Sequence, residues 1–214
     1  MAVTWDGWTR LTHWLLVLAV LLCWISYEED YLQVHQYSGY LVLVLVVTRL
    51  LWGLIGSVHS RFSDFVASPR AVWRYLRGGE PRAPGVGHNP AGGWSVLVLL
   101  LLLLLQASTG LFNSDELMFD GPFHHALDRS WTDRLGAMHE WVFWVLSGFI
   151  GLHITAVLFH QWVKHQDLIG PMVHGGNQGA LPPRPFWLAL LIAIILGGLL
   201  YVAIQYAPKP QVFW

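Results

Sequence analysis

Charge is scarce in this 214-residue chain. Asp, Glu, Lys and Arg make up 12% of it, against about 25% in a soluble domain. Hydrophobic residues make up 55%, which excludes an ordinary soluble domain and implies an integral membrane protein. The net charge of −1 supplies no basic footprint, so nucleic acid is not an expected partner. Cysteine is almost absent. Cys23 stands alone, so the chain forms no internal disulfide. Without a C-x-x-C-H motif, it attaches no haem covalently. Carboxylates are missing from the interiors of the apolar runs. That weighs against a metal-ion transporter, which would need harder or softer ligands than imidazole alone. No solenoid repeat is present, no low-complexity tract occurs beyond a leucine run, and nothing resembles a hydrolytic or phosphate-handling motif. The first apolar run has no small-residue cleavage pattern behind it and reads as an uncleaved span.

What the chain has is five apolar runs. They cover residues 11–27, 37–56, 94–112, 138–164 and 186–206, each near the ~20 residues that cross a bilayer. The first can begin as early as Thr4 or Asp6. His35 belongs to the first turn of the second. A short amphipathic helix, SPRAVWRYLRGG, is expected within the polar segment 57–93, stopped by Gly78 and Gly79. A polar loop is expected over 113–136, and a Gly/Pro-rich connection over 165–185. The fold class is therefore all-α and membrane-spanning. Four helices, residues 1–164, form the core; residues 165–214 supply a connection and a fifth, C-terminal transmembrane helix without histidine.

Basic residues orient the spans. Eight of them, Arg10, Arg61, Arg70, Arg74, Arg77, Arg82, Lys164 and Arg184, fall on the side of the N-terminus. Three, Arg129, Arg134 and Lys209, fall on the other. The N-terminus is thus expected in the cytoplasm and the C-terminus outside. The outer loops and helix ends hold Glu28, Glu29, Asp30, Asp115, Glu116, Asp120, Asp128, Asp133 and Glu140. An acidic face of this kind suits a basic soluble protein, although acids there also simply keep clear of the cytoplasmic flanks.

The run 138–164 carries His139 and His153. Fourteen residues at 100° each return to within about 40° of the same face, and rise about 21 Å. One helix therefore presents an imidazole toward each side of the membrane. The alternating directions of the spans place His35 at the depth of His139 and His13 at the depth of His153. Two imidazoles from facing helices form the axial ligand set of a bis-histidine b haem. Intramembrane polar groups are costly, and pairs matched in depth are not explained as isolated core histidines. His160, seven residues beyond His153 near the same face, competes for the inner position. His59, His88, His165 and His174 read as surface residues. The adjacent His124 and His125 read as a solvated pair, with metal or partner binding as the alternative. Arg49, fourteen residues after His35, suits the propionates of the inner haem; Arg10 does the same or snorkels to the interface. Gly39, Gly136 and Gly151 either admit a flat macrocycle or serve ordinary helix packing.

The segments WDGWTRLTHWLLV, VHQYSGYLVLVLVVTRLLWGLIG, GHNPAGGWSVLVLLLLLLLQASTGLF and MHEWVFWVLSGFIGLHITAVL resemble the bacterial cytochrome b561 family, which includes the cytochrome b subunits of Ni,Fe-hydrogenases. The resemblance spans the first four runs. It implies a four-helix membrane bundle with two b haems, ligated by His13, His35, His139 and His153, in the bacterial inner membrane. It further implies electron exchange, as a quinone-linked oxidoreductase subunit of a respiratory chain, between the quinone pool and a periplasmic partner. That partner is a cytochrome c or, alternatively, a hydrogenase that this chain anchors. Residues 87–93, GHNPAGG, are a candidate quinone site or a loop that caps the third helix.

Overall fold

The computed structural model describes residues 5–79, 89–115, 119–175 and 184–209. Arg82, His88 and Glu116, named above, lie outside the described residues, as does the Gly87–His88 part of GHNPAGG. Eight α-helices are seen among the described residues: α1 Gly7–Glu28, α2 Leu32–Ile55, α3 Phe62–Phe65, α4 Pro69–Leu76, α5 Pro90–Gly110, α6 Arg129–Trp162, α7 Ile169–His174 and α8 Phe186–Gln205. Five of them, α1, α2, α5, α6 and α8, are long and apolar enough to cross a membrane. The chain is an all-helical, multi-pass membrane protein.

Local chemistry sets the helix starts. Asp6 caps α1, its carboxylate accepting the amide of Thr9. Ser68 caps α4 with Pro69 behind it, and Gly78 ends that helix at φ +84°, a conformation that costs glycine little. Asn89 caps α5 by accepting the Gly92 amide, again with proline in the first turn. Residues 89–93 are thus the cap and first turn of α5. The α1–α2 connection shrinks to residues 29–31, with Asp30 left-handed at φ 58°. So short a link forces α1 and α2 antiparallel.

The largest departure from expectation is α6. It begins at Arg129, nine residues before the apolar run, inside what reads as a polar loop. Its 34 residues span about 51 Å, well beyond the roughly 30 Å hydrocarbon layer. The first turns, RSWTDRLGA, hold good helix formers around a buried Thr132 whose hydroxyl donates to the Arg129 carbonyl. Water at the membrane surface lets a helix continue there without an apolar face.

One core joins α1, α2, α5 and α6: Leu16, Ala19, Val42, Leu45, Val46, Leu100, Leu103 and Leu146. The closest helix pairs are α1 with α2, α5 with α6, and α2 with α5. The backbone of α6 stands off from α1 and α2, so α5 acts as the spacer. The last long helix, α8, seats on α2 and α1 through Trp8, Trp52 and Ala189. Phe186 at its start meets Trp8 edge-on, ring centres 5.4 Å apart.

Candidate functional site

The gap that α6 leaves against α1 and α2 is where the histidines meet. His13 on α1 and His153 on α6 have ring centres 6.4 Å apart. His35 on α2 and His139 on α6 have theirs 6.2 Å apart. All four rings are half-buried. The pairs lie at opposite ends, His13–His153 nearer the N-terminus of α1 and His35–His139 nearer the α1–α2 turn. His160 is not part of either. Its Nδ1 faces Gln166 Oε1 at 2.8 Å, and its ring sits on Phe159.

The spacing has a direct chemical meaning. A metal–imidazole bond is about 2.0–2.1 Å, and a ring nitrogen lies about 1.1 Å from its ring centre, so two trans imidazoles on one ion have centres about 6.2 Å apart. Both pairs fit an iron between them. Among the described residues no cluster of three or more His, Cys, Asp or Glu side chains could enclose an ion. The donor set at each end is two imidazoles, which suits an ion already held equatorially. Beside Gly39 and Gly151 nothing lies within 4 Å of where a Cβ would sit, so space is open there. Gly136 serves ordinary packing instead: a Cβ would lie 2.7 Å from Asn113 Oδ1.

The ring nitrogens of the second pair are also organised. His35 Nδ1 lies 2.8 Å from the Cys23 carbonyl, while the Cys23 thiol donates to the His35 carbonyl at 3.7 Å. His139 Nδ1 lies 2.9 Å from the Gln106 carbonyl and 3.3 Å from Thr109 Oγ1. A protonated Nδ1 donating to these carbonyls leaves Nε2 unprotonated for a metal. On the other side of His139, its Nε2 is 3.2 Å from the Gln106 side-chain nitrogen. Gly110 makes room for the ring, since a Cβ there would come within 2.9 Å of His139 Cε1. These supporting residues escaped sequence reasoning. Their only trace was polarity: Gln106 and Thr109 interrupt a run of leucines.

At the other end, Trp5, Thr9, Thr12, His13, Leu16, Arg49, Val96, Leu100 and Met172 line a cleft. Arg49 is 5% exposed, donates to the Ser60 carbonyl at 3.2 Å and lies over the Phe62 ring at 5.6 Å. Arg10 donates from Nη1 to the Val173 carbonyl at 3.0 Å. Arg10 Nε and Thr12 Oγ1 are buried without a hydrogen-bond partner among the described residues. Asp6, named above only as an early start of the first run, accepts from Trp52 Nε1 at 2.9 Å and from the Ser60 hydroxyl. Unpartnered donors beside a cleft and a buried guanidinium fit an acidic group carried by a ligand.

The two histidines of the 120s do not converge on one point. His124 Nδ1 faces the Phe112 carbonyl at 3.0 Å, and His125 Nε2 pairs with Asp120 at 3.1 Å. Asp120 also accepts from Ser114, and that hydrogen bond, with the smaller effect of His125, holds its carboxyl below the usual range.

The chain is similar to known proteins over most of its length. The chain is 24% identical over 203 residues to a probable Ni/Fe-hydrogenase 1 B-type cytochrome subunit of Escherichia coli, covering 78% of this chain and 86% of that one. It is 22% identical over 209 residues to a probable Ni/Fe-hydrogenase B-type cytochrome subunit of Azotobacter chroococcum, covering 78% and 84%. It is 25% identical over 171 residues to a probable superoxide oxidase of Yersinia pestis, covering 73% and 88%. No solved structure matches it. The family model for prokaryotic cytochrome b561 matches residues 4–175, which include every residue of both histidine pairs, and the chain belongs to the prokaryotic cytochrome b561 family of b-type membrane cytochromes.

Proposed function

We propose that the protein carries electrons across the bacterial inner membrane between the quinone pool and a periplasmic redox partner. In this reading one b haem is held by His35 and His139 and a second by His13 and His153. The observation that supports it is the pair of imidazole pairs, each at the spacing of two axial ligands and one toward each end of the bundle. A haem bound at either pair would supply one-electron transfer at its iron. The Cys23 and Gln106 carbonyls, accepting from Nδ1, would leave Nε2 of His35 and His139 unprotonated to hold it. Arg49 and Arg10 offset the haem carboxylates at the other end, where Arg10 Nε stands unpartnered. The basic-residue count puts that end in the cytoplasm, with the N-terminus inside and the C-terminus in the periplasm.

The partner follows from two separate features. Among the described residues, Glu28, Glu29, Asp30, Asp115, Asp128, Asp133 and Glu140 are exposed at the end bearing the α1–α2 turn. That field favours a basic protein such as a cytochrome c and disfavours a small anionic donor. The hydrogenase-named relatives support the second reading, in which the chain anchors a periplasmic Ni,Fe-hydrogenase. Isolation in mild detergent tests both. The expected result is about two haems per chain with a bis-histidine b-type spectrum. A co-purifying nickel–iron protein selects the hydrogenase reading, and a cytochrome c selects the other. A haem-free native protein overturns both.

Gly110→Val gives a sharper local test. The added methyl groups must displace the His139 ring, so haem content is expected to fall from about two toward one per chain. Full haem content in that variant would show that His139 need not stand where it does.

A further inference from the structure

The two histidine pairs are alike in spacing and unlike in surroundings. At the outer pair both Nδ1 atoms meet backbone carbonyls, of Cys23 and Gln106. The same device presents each carbonyl. Ser26 donates to the Leu22 and Cys23 carbonyls, and Thr109 to those of Leu105 and Gln106. Each hydroxyl lies three residues beyond the presented carbonyl, and each residue is buried. Back-bonding of this kind tilts carbonyls off the helix ladder. Helix α1 thereby serves a histidine on α2, and α5 serves one on α6. At the inner pair, no ring nitrogen of His13 or His153 has a hydrogen-bond partner among the described residues, and their contacts are ring contacts.

We propose that the outer pair is built to hold its iron at the lower reduction potential and the inner pair at the higher. The inference rests on the haem reading above. A carbonyl accepting Nδ1–H gives the ligand imidazolate character, which favours the ferric state. Charge acts in the same direction. The exposed carboxylates Glu28, Asp30 and Glu140 lie on the helix ends and the α1–α2 turn at the same end as His35 and His139, and negative charge there stabilises the more positive, oxidised form. Arg129 and Arg134 oppose them only in part, Arg129 lying 3.9 Å from Asp133. The inner pair has Arg49 buried in the cleft that His13 lines and Arg10 one turn before His13, with Asp6 joined to Arg49 only through Ser60. Guanidinium charge so close to one pair favours its reduced form.

An equilibrium redox titration of the purified protein, read by its haem absorbance, tests the assignment. Two separated steps are expected. Arg49→Gln is expected to move the upper step toward negative potential and leave the lower one in place. Glu140→Gln is expected to move the lower step toward positive potential and leave the upper one. Arg49→Lys, which keeps the charge, should restore most of the Arg49→Gln shift. A single coincident step, or an Arg49→Gln shift confined to the lower step, overturns the assignment while the haem reading stands. Should Arg49→Gln fail to accumulate, Glu140→Gln decides alone: movement of the upper step overturns the assignment. Protein that binds no haem instead defeats the function proposed above.

Discussion

His139→Ala is expected to leave a folded protein with about one haem per chain instead of about two. His139 is the ring that faces His35, at 6.2 Å between centres, and among the described residues no other imidazole is paired with His35. His153 lies fourteen residues further along α6, about 21 Å away, and keeps its own partner His13. The change should therefore subtract one site and spare the other. The helix itself has little reason to unfold. His139 is half-buried on a helix whose core contacts run through Val142 and Leu146. The variant does leave the Gln106 carbonyl without its ring partner, a cost of about 1 kcal/mol. Haem per chain, measured after denaturation, is the primary readout, and the surviving potential identifies which site remains. By the charge argument it should be the higher one, and it should still respond to Arg49→Gln. His139→Gly with added imidazole should restore the missing haem in part, because the ring's place is then open. Two further variants fix the register: His153→Ala should remove the other haem, and His160→Ala should remove neither, since His160 is engaged with Gln166. Loss of both haems in His160→Ala, or of the Arg49-sensitive haem in His139→Ala, would contradict the pairing.

Much of this architecture was legible before any coordinates. The five spans announce themselves because a bilayer demands unbroken apolar length, and length is what a sequence displays most directly. Depth follows from length: the fourteen-residue interval between His139 and His153 and the alternating directions of the spans leave few ways to match rings. The depth argument pairs the same rings that the structure sets side by side. Other features were illegible for definite reasons. The Cys23 and Gln106 carbonyls are backbone atoms, and every residue has one. Their tell was the hydroxyl three residues on, Ser26 and Thr109, which looked like ordinary polar punctuation. The early start of α6 was hidden because hydropathy stops at the membrane surface while hydrogen-bonded helix need not. The seat of α8 was hidden because an all-apolar helix has no face to read; only Ala189, fully buried between Trp8 and Trp52, reveals it. Asp6 stood only as a possible start of the first run. Its cap on the Thr9 amide is half of its role; the other half, partners 46 and 54 residues away, leaves no local trace.

That hidden half carries the second large effect, on stability. Asp6 is 7% exposed and binds several donors at once. One carboxylate oxygen accepts the Thr9 amide at 2.7 Å, and the other accepts Trp52 Nε1 at 2.9 Å and the Ser60 hydroxyl. It thereby ties the start of α1 to the end of α2 and to the turn that Arg49 grips through the Ser60 carbonyl. Asp6→Ala removes the cap and strands the Trp52 N–H, whose residue is wholly buried. A lost cap costs about 1 kcal/mol and an orphaned buried donor about 1–3 more, so the expected loss is about 3 kcal/mol. Asp6→Asn keeps one acceptor and should lose about half as much. The same contacts set a pH dependence. Burial acts to raise the Asp6 pKa, but the hydrogen bonds from Ser60, Thr9, Trp52 and Ser57 outweigh it and hold it below 3.8. A depressed folded-state value means the unfolded chain binds the proton first. The stabilisation is complete above the ordinary carboxylate value and is lost as pH falls below 3.8 through the folded value. Unfolding in detergent, followed at neutral pH and then stepwise into acid, should show Asp6→Asn less stable at neutrality. The gap to the wild type should narrow in acid. A constant gap across that range would mean the Asp6 charge contributes nothing, and an absent gap at neutrality would mean the tie between α1 and α2 is held elsewhere.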